Sequence, residues 1–309
     1  MLKYTSTGES VRRRFRSITK FFVILVLAVS LPSCIDLKHN TNFSPSGRTI
    51  WGIQSVLTER KIDNMLHLLM LTKAVSENRT IILTQVEGLK QIEMLDNWLC
   101  SVMKLKPKVS NFIILTSLEH IKEIYESQGY NVFLMTSNVS KNVREEHADF
   151  LSHNFENRLC QRRKIAIFLL EHGYRVLIAD NDAVWLKNPF IHGDFDGSAD
   201  IYAQDDGGSM CVGFIIMKSS VATIRWIRAW HQVHSAMVEA GDSIPGQPLW
   251  DEQRVANKIL TSKRLHPQLA RLLKDQAFAQ DPKVKPVVKL LDRTKFPPGK
   301  DYFNPGKIG

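Results

Sequence analysis

The stretch VLIADNDAVWLKNPF, residues 176–190, places Asp180 and Asp182 directly after four apolar residues. Charge at the end of a buried apolar run is unfavourable unless something pairs with it, because an unpaired carboxylate withdrawn from water carries a large desolvation penalty. In extended chain, residues two apart point the same way, so the two carboxylates converge on one object. Carboxylate oxygens suit hard divalent cations such as Mn²⁺ or Mg²⁺, which keep part of their water and bridge to phosphate oxygens. A cation held there would neutralise a diphosphate and stabilise it as a leaving group.

Other chemistries share the spacing. A calcium loop starting at Asp180 needs oxygen ligands, a central glycine and a closing acid where this chain has Val184, Trp185 and Ile191, so that reading fails. A phosphatase with an aspartyl nucleophile uses a strand ending like ADNDAV. It starts on the first strand of its domain and has a lysine and an acid pair well downstream. Here three strand-like runs precede the motif and Asp205-Asp206 follows closely, so it stays a minor alternative. A surface turn built by the aspartates is the structural alternative.

The elements that must position these residues are legible from periodicity. Short β-branched runs at 80–86, 111–117, 130–137 and 174–180 read as buried strands, and helical patterns separate them. DIYAQDD (200–206) and CVGFIIMKS (211–219) add two more strands; helices are expected over 220–241 and from 250. Strand–helix alternation with near-continuous apolar strands implies a mostly parallel sheet covered on both faces, with an irregular C-terminal part. The tail from about 281 is rich in proline and lysine and shows little pattern. Ligands of such sheets bind beyond the carboxyl ends of the strands, where Asp180 and Asp182 fall.

The net charge of +10 is concentrated at the start: Lys3, Arg12, Arg13, Arg14, Arg16 and Lys20 against Glu9 supply half of it. No basic block is interleaved with aromatics, which argues against nucleic-acid binding. FFVILVLAVSLPSCI (21–35) follows, shorter than the about 20 residues of a typical span. A cleaved signal peptide and a lipoprotein signal using Cys34 are weighed against a single-pass anchor. Positive charge before the run and little just after it favour the anchor, with a cytosolic tail at 1–20, a polar stem at 36–55 and one domain over 56–309. In the secretory pathway Asn42, Asn78 and Asn138 head glycosylation triplets. Cys100, Cys160 and Cys211 lie beyond the anchor and read as buried thiols or one bridge.

HGYRVLIADNDAVWLKNPF (172–190), GGSMCVGFIIMKSS (207–220) and DEQRVANKIL (251–260), in that order, resemble the nucleotide-diphospho-sugar transferase family over about residues 79–303. That family includes the plant rhamnogalacturonan xylosyltransferases and related α-1,3-xylosyl- and galactosyltransferases. The resemblance implies a GT-A type fold with a single Rossmann-like sheet, a UDP-sugar donor, a glycan or glycoprotein acceptor, and Mn²⁺ or Mg²⁺ on Asp180 and Asp182. On the donor side it implies Thr84 and Gln85 at the end of the first strand and Asn181 between the aspartates. It adds a helix cation, best matched by Lys164 with Arg163 and Arg162 as rivals, and Asp205, Asp206, Gly207, Gly208 and Gly213 around the sugar. Cys211 stands where relatives often place asparagine. Glu252 and Gln253, with Asp251 adjacent, fall near the anomeric carbon; Asn257 supports their helix, and Trp250 could wall the acceptor site.

The family segment resembled by 290–309 continues in relatives to a histidine, a glycine and a lysine that complete the metal and diphosphate site, a context that His231, His234 and His266 do not share. The expectation is a retaining glycosyltransferase in the Golgi membrane, single-pass with its catalytic domain lumenal, moving xylose or galactose from UDP. A sugar-binding pseudoenzyme is the alternative.

Overall fold

The computed structural model describes residues 64–135, 153–193, 195–240, 251–261, 267–273, 278 and 284–299. The expected tail, span and stem at 1–55, Asn42, Asn138 and Trp250 lie outside them. None of the described helices is long and apolar enough to cross a membrane.

A helix over 64–75 (α1) leads through a turn into β1 (Thr80–Gln85), then α2 (Leu89–Met103), β2 (Phe112–Thr116), α3 (Glu119–Ser127), β3 (Val132–Leu134) and α4 (His153–Glu171). Next come β4 (Arg175–Ala179), the single turn α5 (Pro189–His192), β5 (Ile201–Asp205) and β6 (Met210–Met217). Helices α6 (Val221–Ala240), α7 (Glu252–Thr261) and α8 (Pro267–Leu272) precede β7 (Val288–Leu291). Asn78 sits exposed in the turn between α1 and β1, at a positive φ of 48°.

The seven strands form one sheet in the order β3-β2-β1-β4-β6-β5-β7. β1 pairs in parallel with β2 and β4, β2 with β3, and β5 with β7; β6 runs antiparallel to both its neighbours. The sheet is therefore mixed and mostly parallel, as expected. β7 corrects the reading of the tail as patternless. It is a four-residue edge strand, mostly half-buried, so its sequence lacks the apolar run that marks the central strands.

Alternation within the strands divides the core. Ile81, Leu83, Val176 and Ile178 face α1, α4, α6 and α7, while Ile82, Leu177 and Ala179 face α2 and α3. Both faces are covered, which is why the central strands are buried along nearly their whole length. β1 is followed by a crossover toward β2, and β4 is laid on its other side. The strand order thus reverses between β1 and β4, the place where such sheets open a crevice beyond their carboxyl ends.

Candidate functional site

β4 ends at Ala179, and its successor Asp180 is locked to the neighbouring strand: its N–H donates to the Gly213 carbonyl at 2.7 Å. A Cβ added at Gly213 would sit 2.4 Å from Asp180 Oδ2. Glycine is needed there because the carboxylate occupies the space a side chain would fill. Gly207 and Gly208 serve differently. They carry φ of +69° and +85° in the β5–β6 turn, and an added Cβ would meet nothing. That turn is tied by Asp205, whose Oδ1 accepts from the Gly208 N–H at 2.6 Å.

Asn181 is buried, and its amide donates to the Gln85 carbonyl at 2.9 Å, strapping the end of β4 to the end of β1. Asp182 stands exposed beyond it. Partial withdrawal from water, then the charge of Asp180, pushes the Asp182 carboxyl above the usual range. The two carboxylates therefore repel each other, and a shared cation would relieve this. Among the described residues no third histidine, cysteine or acid completes a metal-ligating group. A hard cation that fills its remaining positions with water and phosphate oxygens fits this donor set.

At the end of β1, Thr84 is fully buried and Gln85 nearly so. The Gln85 amide donates to Glu87 Oε1 at 3.0 Å and to the Arg158 carbonyl at 3.2 Å. Glu87 also accepts from the Ser117 N–H at 3.1 Å and from the Ser117 hydroxyl, and Arg158 donates to its backbone carbonyl. Burial still pushes the Glu87 carboxyl up. Glu87 and Arg158 were not singled out from the sequence. An acid two residues past a buried strand, before Gly88, was the available signal, since it repeats the pattern after β4.

The cation that reaches the aspartates comes from the middle of α4. Arg162 donates to Asp180 Oδ1 at 2.6 Å and to Glu252 Oε1 at 3.0 Å. Arg163 donates to the other Glu252 oxygen, to Cys160 Sγ at 3.0 Å and to His234 Nδ1, and lies over the Trp230 ring at 4.8 Å. Both arginines are buried. Lys164 is exposed, about 200° around the helix from Arg162 at about 100° per residue.

Behind the arginines, His234 Nε2 lies 3.0 Å from Glu156 Oε2. Burial, then the charge of Arg163, pushes His234 down to about 3, and burial pushes Glu156 up to about 7. Because Arg163 can only donate, His234 Nδ1 accepts from it and the ring proton lies on Nε2, which is close to Glu156 Oε2 but not aligned for a hydrogen bond with it. Cys100, Cys160 and Cys211 are all free thiols.

α7 carries the remaining expected residues, and its first turn assigns each a distinct task. Asp251 caps the helix: its Oδ1 accepts from the Arg254 N–H at 2.7 Å. Glu252 has both oxygens on guanidinium groups. Gln253 donates to Asp206 Oδ2 at 3.1 Å and accepts from the Val212 N–H at 3.3 Å. Asn257 clasps Met210 from both sides, accepting from its N–H at 2.9 Å and donating to its carbonyl at 2.8 Å. The helix is therefore pinned to the start of β6 beside Gly213. Around the end of β4 the structure gathers Asp180, Asn181, Asp182, Arg162, Glu252, Gln253 and Asp206. It leaves Lys164 outside this cluster and Thr84 beneath the surface.

The chain matches the nucleotide-diphospho-sugar transferase family over residues 107–306. It is 29% identical over 180 residues to the UDP-galactose:fucoside alpha-3-galactosyltransferase of Dictyostelium discoideum, covering 54% of this chain and 26% of that one. With the UDP-D-xylose:L-fucose alpha-1,3-D-xylosyltransferase 1 of Arabidopsis thaliana it shares 30% identity over 191 residues, covering 60% and 48%. The chain thus spans between about a quarter and about a half of the length of these two relatives. The solved glycosyltransferase GlyE of Streptococcus pneumoniae TIGR4 aligns with a TM-score of 0.41 at 15% identity, over 75% of this chain and 50% of that one. With its matched segment holding β4, both aspartates, the glycine-bearing β6 and the α7 clasp, the chain belongs to the nucleotide-diphospho-sugar transferase family.

Proposed function

We propose that this protein transfers a sugar, xylose or galactose, from a UDP donor to a glycan hydroxyl, using a divalent cation held by Asp180 and Asp182. The observation that carries the reading is the pair of carboxylates beyond the carboxyl end of β4, at the strand-order reversal, with the buried Arg162 set against Asp180. Two relatives named for UDP-galactose and UDP-xylose support the donor class. When bound, Mn²⁺ or Mg²⁺ would supply charge neutralisation for a departing diphosphate.

The chain's own residues do the rest. Arg162 fixes the orientation of Asp180 and adds positive charge beside the leaving group. Gly213 leaves room for the Asp180 carboxylate. Gln253 and Asp206 present polar groups on the opposite wall, next to Cys211. Glu252 has both oxygens bound to arginines, so it is not a free carboxylate able to attack an anomeric carbon. That favours retention by front-face displacement, in which the departing diphosphate takes the acceptor proton. The basic head and apolar run at the N-terminus support the further proposal of a single-pass anchor in the Golgi membrane with this domain in the lumen.

The test is UDP release from a panel of UDP-sugars by the full chain, with and without Mn²⁺, beside Asp182→Ala. Cation-dependent release from one donor, lost in the variant, is expected. Cation-independent release that survives Asp182→Ala would refute the role given to the carboxylates. Phosphate release from simple phosphomonoesters without UDP would refute the transferase class.

A further inference from the structure

On the α2 face of the sheet lies a cavity of about 740 Å³ that shares Asn181 and Asp182 with the donor site and extends away from it along α2. One wall is a single face of α2, on which Asn97 and Ser101 recur at helical spacing and which Lys104 continues at the helix's C-terminal cap, along about 10 Å. The other is the extended segment that leaves the aspartates. The walls are fixed to each other: the Trp185 N–H donates to Ser101 Oγ at 3.1 Å, and the Asn188 amide donates to the Pro107 carbonyl at 3.2 Å. The floor is the buried Trp185, packed edge-on against Trp98 with ring centroids 5.7 Å apart. This is a preformed cavity of ligand-binding size.

Its lining has two unusual properties. Met94, Val184 and Leu186 are 46%, 63% and 65% exposed, a concentration of large apolar side chains with no core to join. Lys104, Lys106 and Lys187 are exposed beside them and form no ion pair with any other described residue. Against three cations, the only carboxylate among the described lining residues is Asp182, at one end. The surface therefore favours a ligand with apolar faces and several negative charges, reaching toward the aspartates. A sugar chain bearing carboxylate or sulfate groups has this character: its C–H faces pack on Met94, Val184 and Leu186, and its anionic groups meet the lysines.

We propose that this cavity is a binding site for an anionic acceptor glycan, an assignment of acceptor class that rests on the transferase reading above. The lysines supply discrimination, because a neutral chain leaves their charge unanswered.

The test measures binding separately from turnover. Fluorescein-labelled oligogalacturonide, a sulfated oligosaccharide and a neutral maltooligosaccharide of equal length are titrated with the full chain by anisotropy, at low and high salt. The comparison variant is Lys104→Ser/Lys106→Ser/Lys187→Ser. Expected is binding of a carboxylated or sulfated chain at least about tenfold tighter than the neutral one, weakened by salt and lost by about tenfold in the variant, since each exposed ion pair contributes a few-fold. Which labelled chain binds separates the carboxylate source from the sulfate source. UDP release without acceptor is expected to be unchanged in the variant, which also shows that it folds.

Equal binding of neutral and anionic chains, or anionic binding that ignores the substitutions, overturns the proposal. So does a raised KM for the UDP-sugar in the variant, which would make the lysines part of the donor site. Lysine-dependent capture by phosphatidylserine vesicles without glycan binding also overturns it, in favour of a membrane contact. Lysine-dependent binding of the anionic chain in a protein that turns over no UDP-sugar supports the site and refutes the transferase reading instead.

Discussion

Arg162, Glu252 and Arg163 form a buried triad of two cations around one anion, and removing its centre gives the sharpest test of the site's energetics. Glu252→Gln keeps the shape but leaves two buried guanidinium groups facing an amide. Breaking a buried ion pair costs about 3–5 kcal/mol. Arg162 retains Asp180, whose side chain is 42% exposed and so offers a weak, solvated substitute. The lower end applies, about 3 kcal/mol, or a fall in Tm of about 6–12 °C at about 2–4 °C per kcal/mol for a domain of this size. Replacing the whole triad, Arg162→Met/Arg163→Met/Glu252→Leu, removes all three charges together. Apolar replacement of such a triad is neutral to stabilising by a few kcal/mol. The triple variant is therefore expected to melt at or above the wild type, while losing Mn²⁺-dependent UDP binding because Asp180 has lost Arg162. Thermal denaturation by circular dichroism and a UDP titration measure the two effects. A triple variant that melts below Glu252→Gln would refute the assignment of these charges to function rather than stability, and a single variant that melts within about 2 °C of wild type would refute the reading of Glu252 as the buried partner of both guanidinium groups.

Gly213→Ala places a methyl against Asp180 Oδ2 and must displace the carboxylate, so Mn²⁺-dependent UDP release should fall by at least about tenfold, with about 1–3 kcal/mol lost to overpacking; unchanged release would show that Asp180 Oδ2 is not used. Asp251→Ala should lower stability by about 1 kcal/mol as a lost helix cap and leave turnover per folded molecule intact, and a collapse of turnover would restore Asp251 to the chemistry. Glu156 and His234 act oppositely on stability with pH. The folded His234 refuses a proton until about 3 whereas the unfolded one binds near 6.5, so its contribution rises with pH between those values. The folded Glu156 keeps its proton up to about 7 against 4.5 unfolded, so its contribution falls over that window. Between pH 4.5 and 6.5 the wild type should be nearly flat, and Glu156→Gln should gain stability as pH rises; urea melts that give the two proteins parallel profiles would show that the pair is not coupled to folding.

The sequence by itself determined the sheet and the place of its carboxylates. Four buried runs, each ending in a polar signal, predicted β1 to β4 to within a few residues, because strands covered on both faces leave near-continuous apolar text. Asp180 and Asp182 were legible for the same reason: charge directly after such a run must be used. The β7 strand was not, since four edge residues with mixed burial leave no period to read. Nor could the sequence choose among Arg162, Arg163 and Lys164, three adjacent cations on one helix. The choice depends on the rotation of α4 against β4, α6 and α7, set by packing at Ile165, Ala166, Leu169 and Leu170. The same holds for α7, where the order acid, acid, glutamine is local, but cap, charge partner and clasp are assigned by what lies opposite each side chain. Local pattern fixes which residues are buried or charged; only the packing of elements distant in sequence decides which charges meet.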